Sequence, residues 1–400
     1  MSVNPHSDVV VDQYERWVYP DPIMDLPSWL TNNWQWFDPS HAHHLFWPNG
    51  RYESGIDILI AGCGTNQAAV FAYTNPGATV TAIDVSQPSL DHQEYLKARY
   101  GLRNLELHLL PIEEVGTLGQ DFDLIVSTGV LHHLADPQIG MNALSQLLRP
   151  NGVIALMLYA RYGRIGVEIM EGIFRDLDLQ QDHDSVAIVK EALKVLPSDH
   201  PVKGYLASAP DLAFDAGLVD TFLHGRERSY TVNDCLDLVT SSGLVFQDWF
   251  FKTLYEPVPE PGEAFLNAVA SLPEEQRWSI MERVNTRNAC HFFTACRADR
   301  PVSEYRPDWT SPSIMDAVPG FRYRCQLEGN DIVRHGYRFT LSPEQASIVK
   351  CIDGNRTLRD ITGAAIQDKG SGEGGFVINA EFVQSFIHTM VLRDFLTMKV

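Results

Sequence analysis

The sequence predicts an α/β fold built on a doubly wound, mostly parallel sheet, with an inserted helical cap and a small extra domain at the C-terminus. Three observations carry that prediction. Short apolar runs alternate with helix-like stretches over residues 56–158, the first run breaks at a glycine turn that opens a helix, and the alternation stops after Tyr159. Parallel strands are buried on both faces and so read as uninterrupted apolar runs, and they need helical crossovers between them. At 400 residues the chain exceeds the size at which single cores stop growing, so two or three domains are expected.

Ile56 to Ala61 is the first run, broken by Gly62-Cys63-Gly64; Thr79 to Ile83 is the second, ending at Asp84; Leu105 to Leu110, Phe122 to Val126 and Gly152 to Leu158 follow. Between them lie helix signals at Asn66 to Tyr73, at Pro88 to Tyr100 with Ser86 as N-cap, and at Asp136 to Leu148, stopped by Arg149-Pro150-Asn151-Gly152. From Arg164 to about Leu196 the reading is long, acidic and mostly helical, and a loop of small residues and Pro runs on through Ala216. Residues 165–230 therefore read as an insertion over the carboxyl ends of the strands, where open α/β sheets bind ligands. Thr231 to Ser242 reads as a helix stopped by Gly243, and Val245 to Tyr255 and His291 to Arg297 read as strands.

A Pro-bearing stretch at 300–312 marks a boundary. Residues 316–400 carry helix signals from Ser342-Pro343-Glu344, over Thr357 to Gln367 and from Ala380, with a Gly-Ser-Gly-Glu-Gly-Gly tip at 370–375. That order suggests a winged-helix-like module. The expected division is an N-terminal aromatic lid over 1–50, a central domain over 51–300 and the small module over 316–400.

With 51 acidic residues against 31 Lys and Arg, the net charge of −20 repels phosphate backbones and anionic lipid heads. Residues 320–400 hold 10 basic against 9 acidic residues, too few cations for a DNA-gripping winged helix. Nucleic acid and membrane are not expected as partners, and no apolar run approaches a membrane span. The six cysteines form no Cys-x-x-Cys pair, and no basic-then-apolar leader opens the chain. A reduced, cytoplasmic setting is expected.

The chemistry concentrates at Asp57-Ile-Leu-Ile-Ala-Gly62-Cys63-Gly64-Thr65-Asn66. Glycines at 62 and 64 let a ligand approach where a Cβ would clash, and the following helix offers free amides. Twenty residues past Gly64 the next strand ends in Asp84, where an acid can accept hydrogen bonds from both ribose hydroxyls of an adenosine. A nicotinamide dehydrogenase wants a third glycine three residues after Gly64, and Gln67 stands there. Cys63 reads as a small filler of a buried turn, since nothing basic adjoins it. His41-Ala-His43-His44 lacks an acid or Cys at helical spacing and reads as solvated or packed, so no metal is expected.

Here the sequence resembles the class I S-adenosylmethionine-dependent methyltransferases, a Rossmann-like family. The matching motifs come in order: Gly62-Cys63-Gly64-Thr65, Asp84-Val85-Ser86, the run from Phe122 through Thr128-Gly129 to His132-His133-Leu134, and Leu148-Arg149-Pro150-Asn151-Gly152. The likeness is close over 55–160 and loose over 230–299. It implies a seven-stranded sheet and S-adenosyl-L-methionine as cofactor. It implies that the Gly62–Gly64 turn, with Cys63, lies against the methionine portion, that Asp84 holds the ribose, that Val85 covers an adenine face, and that Thr128 and Gly129 run past the sulfonium. The family's acid after the third strand is replaced by Pro111, which leaves the adenine amino group to the Ile112 backbone or to Glu113.

Methyl transfer is an in-line displacement, so the protein must align the acceptor and, for an O–H or N–H acceptor, take a proton. The candidates come from segments expected to cover the pocket. Tyr14 and Tyr19 belong to an aromatic N-terminal stretch; Tyr159, Arg161 and Arg164 leave the fifth strand; His224 and Arg226 lie at the return from the insertion; His133 sits at a strand end. Tyr19, His133, Tyr159 and His224 are the catalytic candidates, and Tyr14, Arg161, Arg164 and Arg226 the acceptor-binding ones. Gathered arginines in an acidic protein point to an anionic acceptor; pairing of those arginines with the acidic insertion is the plainer reading. The expected function is methyl transfer to an O, N or S atom of a small molecule. A protein side-chain methyltransferase with an accessory domain and a non-catalytic methyl-donor-binding regulator are the alternatives, and a homodimer is left open.

Overall fold

The computed structural model describes residues 5, 8–50, 54–260, 262–334, 336–369 and 378–400. Seven strands form one sheet: β1 (Asp57–Ala61), β2 (Thr79–Asp84), β3 (Leu105–Leu109), β4 (Phe122–Thr128), β5 (Leu148–Tyr159), β6 (Leu244–Trp249) and β7 (Cys290–Arg297). Their order is β3-β2-β1-β4-β5-β7-β6. β1 to β5 are parallel, and β7 runs antiparallel to both β5 and β6. The order reverses between β1 and β4, so the carboxyl ends of those two strands, Ala61 and Thr128, flank the switch point where such sheets bind ligands.

The apolar runs become these strands because helices cover both faces: Ile58, Leu59, Ile60 and Ala61 are all fully buried. Helix Gln87–Tyr100 starts where the Ser86 side chain accepts from the Ser89 amide and stops at Gly101 in the left-handed region. Helix Val232–Ser241 opens with a reciprocal capping box between Thr231 and Asp234. The strand signal at Val245 to Tyr255 ends sooner than expected, at Trp249.

The inserted stretch holds more helix than its composition suggests. Helices Ile165–Asp176, His183–Val195, Val202–Leu206 and Asp215–Phe222 enclose a core of their own around Val167, Met170, Phe174, Val189 and Phe222. The expected loop through Ala216 is thus largely structured.

The chain divides into two compact units, one of residues 1–37, 53–249 and 278–299 and the other of 38–52, 250–277 and 300–400. The division at 299/300 coincides with the expected boundary at 300, whereas 38–52 and 250–277 fall in the second unit and no division occurs at 316. In the second unit the Pro-bearing stretch is packed: Arg300 and Tyr305 are buried, and Trp309 stacks on His388 at 4.3 Å. That unit also holds strands absent from the sequence reading. β8 (Val318–Phe321) pairs with the last strand, β12 (Leu396–Lys399), while β9 (Gln326–Glu328), β10 (Asp331–Arg334) and β11 (Tyr337–Thr340) form an antiparallel sheet before helix Pro343–Lys350. The glycine tip at 370–375 lies outside the described residues.

Candidate active site

The turn after β1 needs its glycines. Gly62 and Gly64 have φ of +80° and +52°, and a Cβ on Gly62 would fall 2.4 Å from Val130 Cγ2. Asp84 ties this turn to β2: one carboxylate oxygen accepts from the Gly64 amide at 2.8 Å and the other from the Ser86 amide at 2.9 Å. Each oxygen keeps a lone-pair direction for a ribose hydroxyl. Burial raises the Asp84 carboxyl above its ordinary range, and these amides oppose the rise. Gln93, fully buried, donates to the Gly64 carbonyl at 3.0 Å and accepts from the Ala69 amide. Its place between Leu90 and Leu96 on the buried face of its helix was the available signal. Gln67, where a dehydrogenase would carry glycine, donates to Thr128 Oγ1 at 3.1 Å.

Thr128 ends β4, and Gly129 follows at φ +74°. Val85 is half-buried after β2, while Ile112 is buried and Glu113 half-buried after β3. Burial raises the Glu113 carboxyl. Cys63 is buried, and burial pushes its thiol well up, which keeps it a protonated filler.

The N-terminal segment straps across this turn. Thr65 Oγ1 donates to the Pro20 carbonyl at 2.8 Å, Asn66 Nδ2 to that of Asp21, and Ser86 Oγ to that of Tyr14. Its tyrosines then reach the inserted helices. The Tyr14 hydroxyl donates to Asp220 Oδ1 at 2.8 Å and lies 3.5 Å from His224 Nε2, and the Tyr19 hydroxyl donates to Asp211 at 2.9 Å.

Asp220 and Asp211 were not legible as site residues. Asp220 is buried on helix Asp215–Phe222; burial raises its carboxyl to about 6, while hydrogen bonds from Tyr14 and Tyr159 work against the rise. His133 stacks on His224 at 3.9 Å, and His132 lies 3.9 Å from the Tyr159 ring. Arg226 fixes both outer imidazoles. Its carbonyl accepts from His133 Nδ1 at 3.0 Å, and its amide donates to His224 Nδ1 at 3.0 Å. His133 Nε2 is therefore a bare lone pair, buried and without a partner, whereas His224 carries its proton on Nε2. Burial lowers His133 to about 3 and His224 well below its usual value, so both stay neutral.

Three of the four gathered arginines follow the plainer reading and are paired with carboxylates of the chain. Arg164 is fully buried, donates to Glu227 at 2.7 Å and to the Tyr205 hydroxyl at 3.0 Å, and covers the Tyr159 ring at 3.7 Å. Arg226 is ion-paired with Asp8, and Arg228 with Asp234. Arg161 is exposed. The charges of Arg164, Arg226 and Arg228 are committed to carboxyl groups of the chain itself, and the group beside Tyr14 and His133 is the Asp220 carboxyl.

His133, Asp220 and His224 each offer a ligand atom within 4.8 Å of one another, the one such group among the described residues with metal-binding geometry. A metal-ligating histidine gives its other N–H to an acceptor. His133 meets that condition. His224 does not, because its Nδ1 already accepts from the Arg226 amide.

A family model described as a methyltransferase domain matches residues 59–154. Those residues form a methyltransferase domain similar to those of the class I S-adenosylmethionine-dependent enzymes. It is 29% identical over 346 residues to an uncharacterised protein of Synechococcus sp., covering 83% of this chain and 81% of that one. It is 33% identical over 108 residues to the malonyl-[acyl-carrier protein] O-methyltransferase of Acetivibrio thermocellus, covering 27% of this chain, and 27% identical over 148 residues to the tRNA 5-carboxymethoxyuridine methyltransferase of Escherichia coli, covering 36%. The match spans 37% and 54% of the length of those two enzymes. The structure of PKMT2 from Rickettsia typhi in complex with AdoHcy superposes with a TM-score of 0.65 at 14% identity, over 91% of this chain and 75% of that one, a likeness of fold. The family match ends before Tyr159, Arg164, Asp220 and His224. Among the described residues no helix is long and apolar enough to cross a membrane.

Proposed function

We propose that this methyltransferase moves the methyl group to a nitrogen acceptor, an amine-bearing small molecule, held between Asp220 and His133. Asp220 carries the reading: a buried carboxyl raised to about 6, bonded by the Tyr14 hydroxyl, in a pocket where Arg164 and Arg226 are already paired. S-adenosylmethionine supplies an electrophilic methyl on a sulfonium. Gly62 and Gly64 shape the turn against which its methionine portion would lie, Cys63 fills the turn beneath, and Asp84 has lone pairs for its ribose. Val85, Ile112 and Glu113 suit the adenine, and Thr128 with Gly129 line the path toward the methyl.

In this reading the acceptor N–H points at the lone pair of His133 Nε2, which orients the nitrogen for in-line attack. Asp220 takes the proton, since a group near 6 matches the operating pH better than an imidazole near 3. His224, Tyr19 and Tyr159 hold the carboxylates and rings in place, Arg164 and Arg226 act as positioning residues, and Arg161 is free to meet the distal part of the acceptor. A protein side-chain amine fits the same chemistry. Release of S-adenosylhomocysteine, measured over a panel of amines, alcohols, thiols and carboxylic acids, tests the reading. Amine-dependent release lost in Asp220→Asn supports it; release only with acids or alcohols refutes the nitrogen assignment, and none with any acceptor favours a methyl-donor-binding regulator.

A further inference from the structure

In the second unit, Arg324, Arg334 and Arg338 line a surface depression of about 500 Å³ beside the β9–β11 sheet, with Glu328 as the carboxylate in its lining. The volume lies within the range of small-molecule sites. Strand register explains the gathering. Arg334 ends β10 opposite Tyr337, and Arg338 sits opposite Val333, so both residues lie at one end of the sheet on successive pairs, and both line the depression at that end. Arg338 is paired with Asp331 at 2.6 Å and Glu328 at 3.0 Å. Arg334 is placed differently. Its guanidinium lies 4.1 Å over the Tyr337 ring and reaches Thr253 Oγ1 at 3.4 Å, and its Nε is buried without a hydrogen-bond partner. A buried donor on a permanent cation is costly to leave unmade, and such groups are ordinarily satisfied.

We propose that this depression is an oxyanion site, taking a phosphate or carboxylate group of a small molecule, with Arg334 as its principal donor. The guanidinium end of Arg334 offers an oxyanion charge-assisted bonds, Tyr337 fixes the plane of that fork, and Arg324 adds charge from the loop before β9. Glu328 opposes the ligand and so sets its affinity. The proposal is independent of the methyl acceptor. It is tested on the full chain by calorimetric titration with pyrophosphate, inorganic phosphate and succinate at fixed ionic strength. Saturable binding of at least one is expected, at least about tenfold weaker in Arg334→Gln, unchanged in Arg297→Gln on the other unit, and tighter in Glu328→Gln. Phosphate-only binding assigns a phosphorylated ligand and succinate-only binding a carboxylate one. No saturable binding, or equal affinities in all four proteins, overturns the proposal. If Arg334→Gln does not fold, the Glu328→Gln result decides by itself.

Discussion

His133 and His224 stack at 3.9 Å with 18° between their planes, yet the peptide groups of one residue, Arg226, hold them in opposite tautomers. One ring presents a lone pair on Nε2 and the other an N–H toward Tyr14. Replacing His224 with Phe keeps the stack but removes the donor, and should lower kcat while leaving cofactor affinity within about twofold. Replacing His133 with Phe removes the acceptor lone pair and should cost more, about 10²-fold in kcat/KM. Steady-state kinetics on both variants checks the order.

Opposite tautomers also bear on metals. Only His133 has the second-nitrogen donor bond that a ligand requires. Chelation with EDTA, followed by assay in metal-free buffer, should leave turnover unchanged. A loss restored by zinc or manganese would show that His224 surrenders its bond from Arg226.

Cofactor binding should depend on Asp84 in two ways, through the ribose and through the Gly64 and Ser86 amides. Asp84→Ala should weaken S-adenosylhomocysteine at least about tenfold by calorimetry, since charge-assisted hydrogen bonds contribute roughly 1.5–3 kcal/mol each. Unchanged affinity would remove Asp84 from the site.

The cofactor half was legible because its signals are local. A strand, a glycine turn and an acid at the end of the next strand are fixed by sequence spacing, and β1, β2 and helix Gln87–Tyr100 follow them. The acceptor half was legible only in part. Tyr14, Tyr159 and His224 stood out as residue types, but Asp220 sits 206 positions from the tyrosine that bonds it, and no periodicity announces such a partner. Arg164 was misjudged for the same reason: its partner Glu227 lies across the insertion, 63 positions away. The short strands β8 to β11 were missed because three or four residues carry too little alternation to read.

The buried Arg164–Glu227 pair predicts a large, non-additive stability effect. Arg164→Leu should destabilise by about 3–5 kcal/mol, because Glu227 loses its partner in an apolar setting, and Glu227→Leu added to it should restore much of the loss. Denaturant unfolding of the two single variants and the double variant measures this.

Glu227 also gives a pH signature. Burial raises its carboxyl from 4.5 to about 8, and the charge of the neighbouring Glu171 adds to the rise while Arg164 opposes it. A raised folded value means that the contribution is fully present below about pH 4.5 and lost as pH rises through about 8. The stability of Glu227→Gln relative to wild type should therefore improve steadily between those limits and be flat outside them.

Deleting residues 1–22 removes the Tyr14–Asp220 and Tyr19–Asp211 bonds and the strap across the glycine turn. Turnover should fall more than about tenfold, while the thermal midpoint moves by only a few degrees, because closure excludes water and fixes the acceptor. Equal proportional losses would make the segment packing alone.

The most direct test of the account is the pH dependence of kcat/KM for an amine acceptor that supports S-adenosylhomocysteine release. With Asp220 as base, the wild-type rate should rise with pH through an apparent pKa near 6. In Asp220→Asn that limb should vanish and the plateau should drop by about 10²–10⁴-fold. A variant that keeps both the limb and the plateau would contradict the role assigned to Asp220.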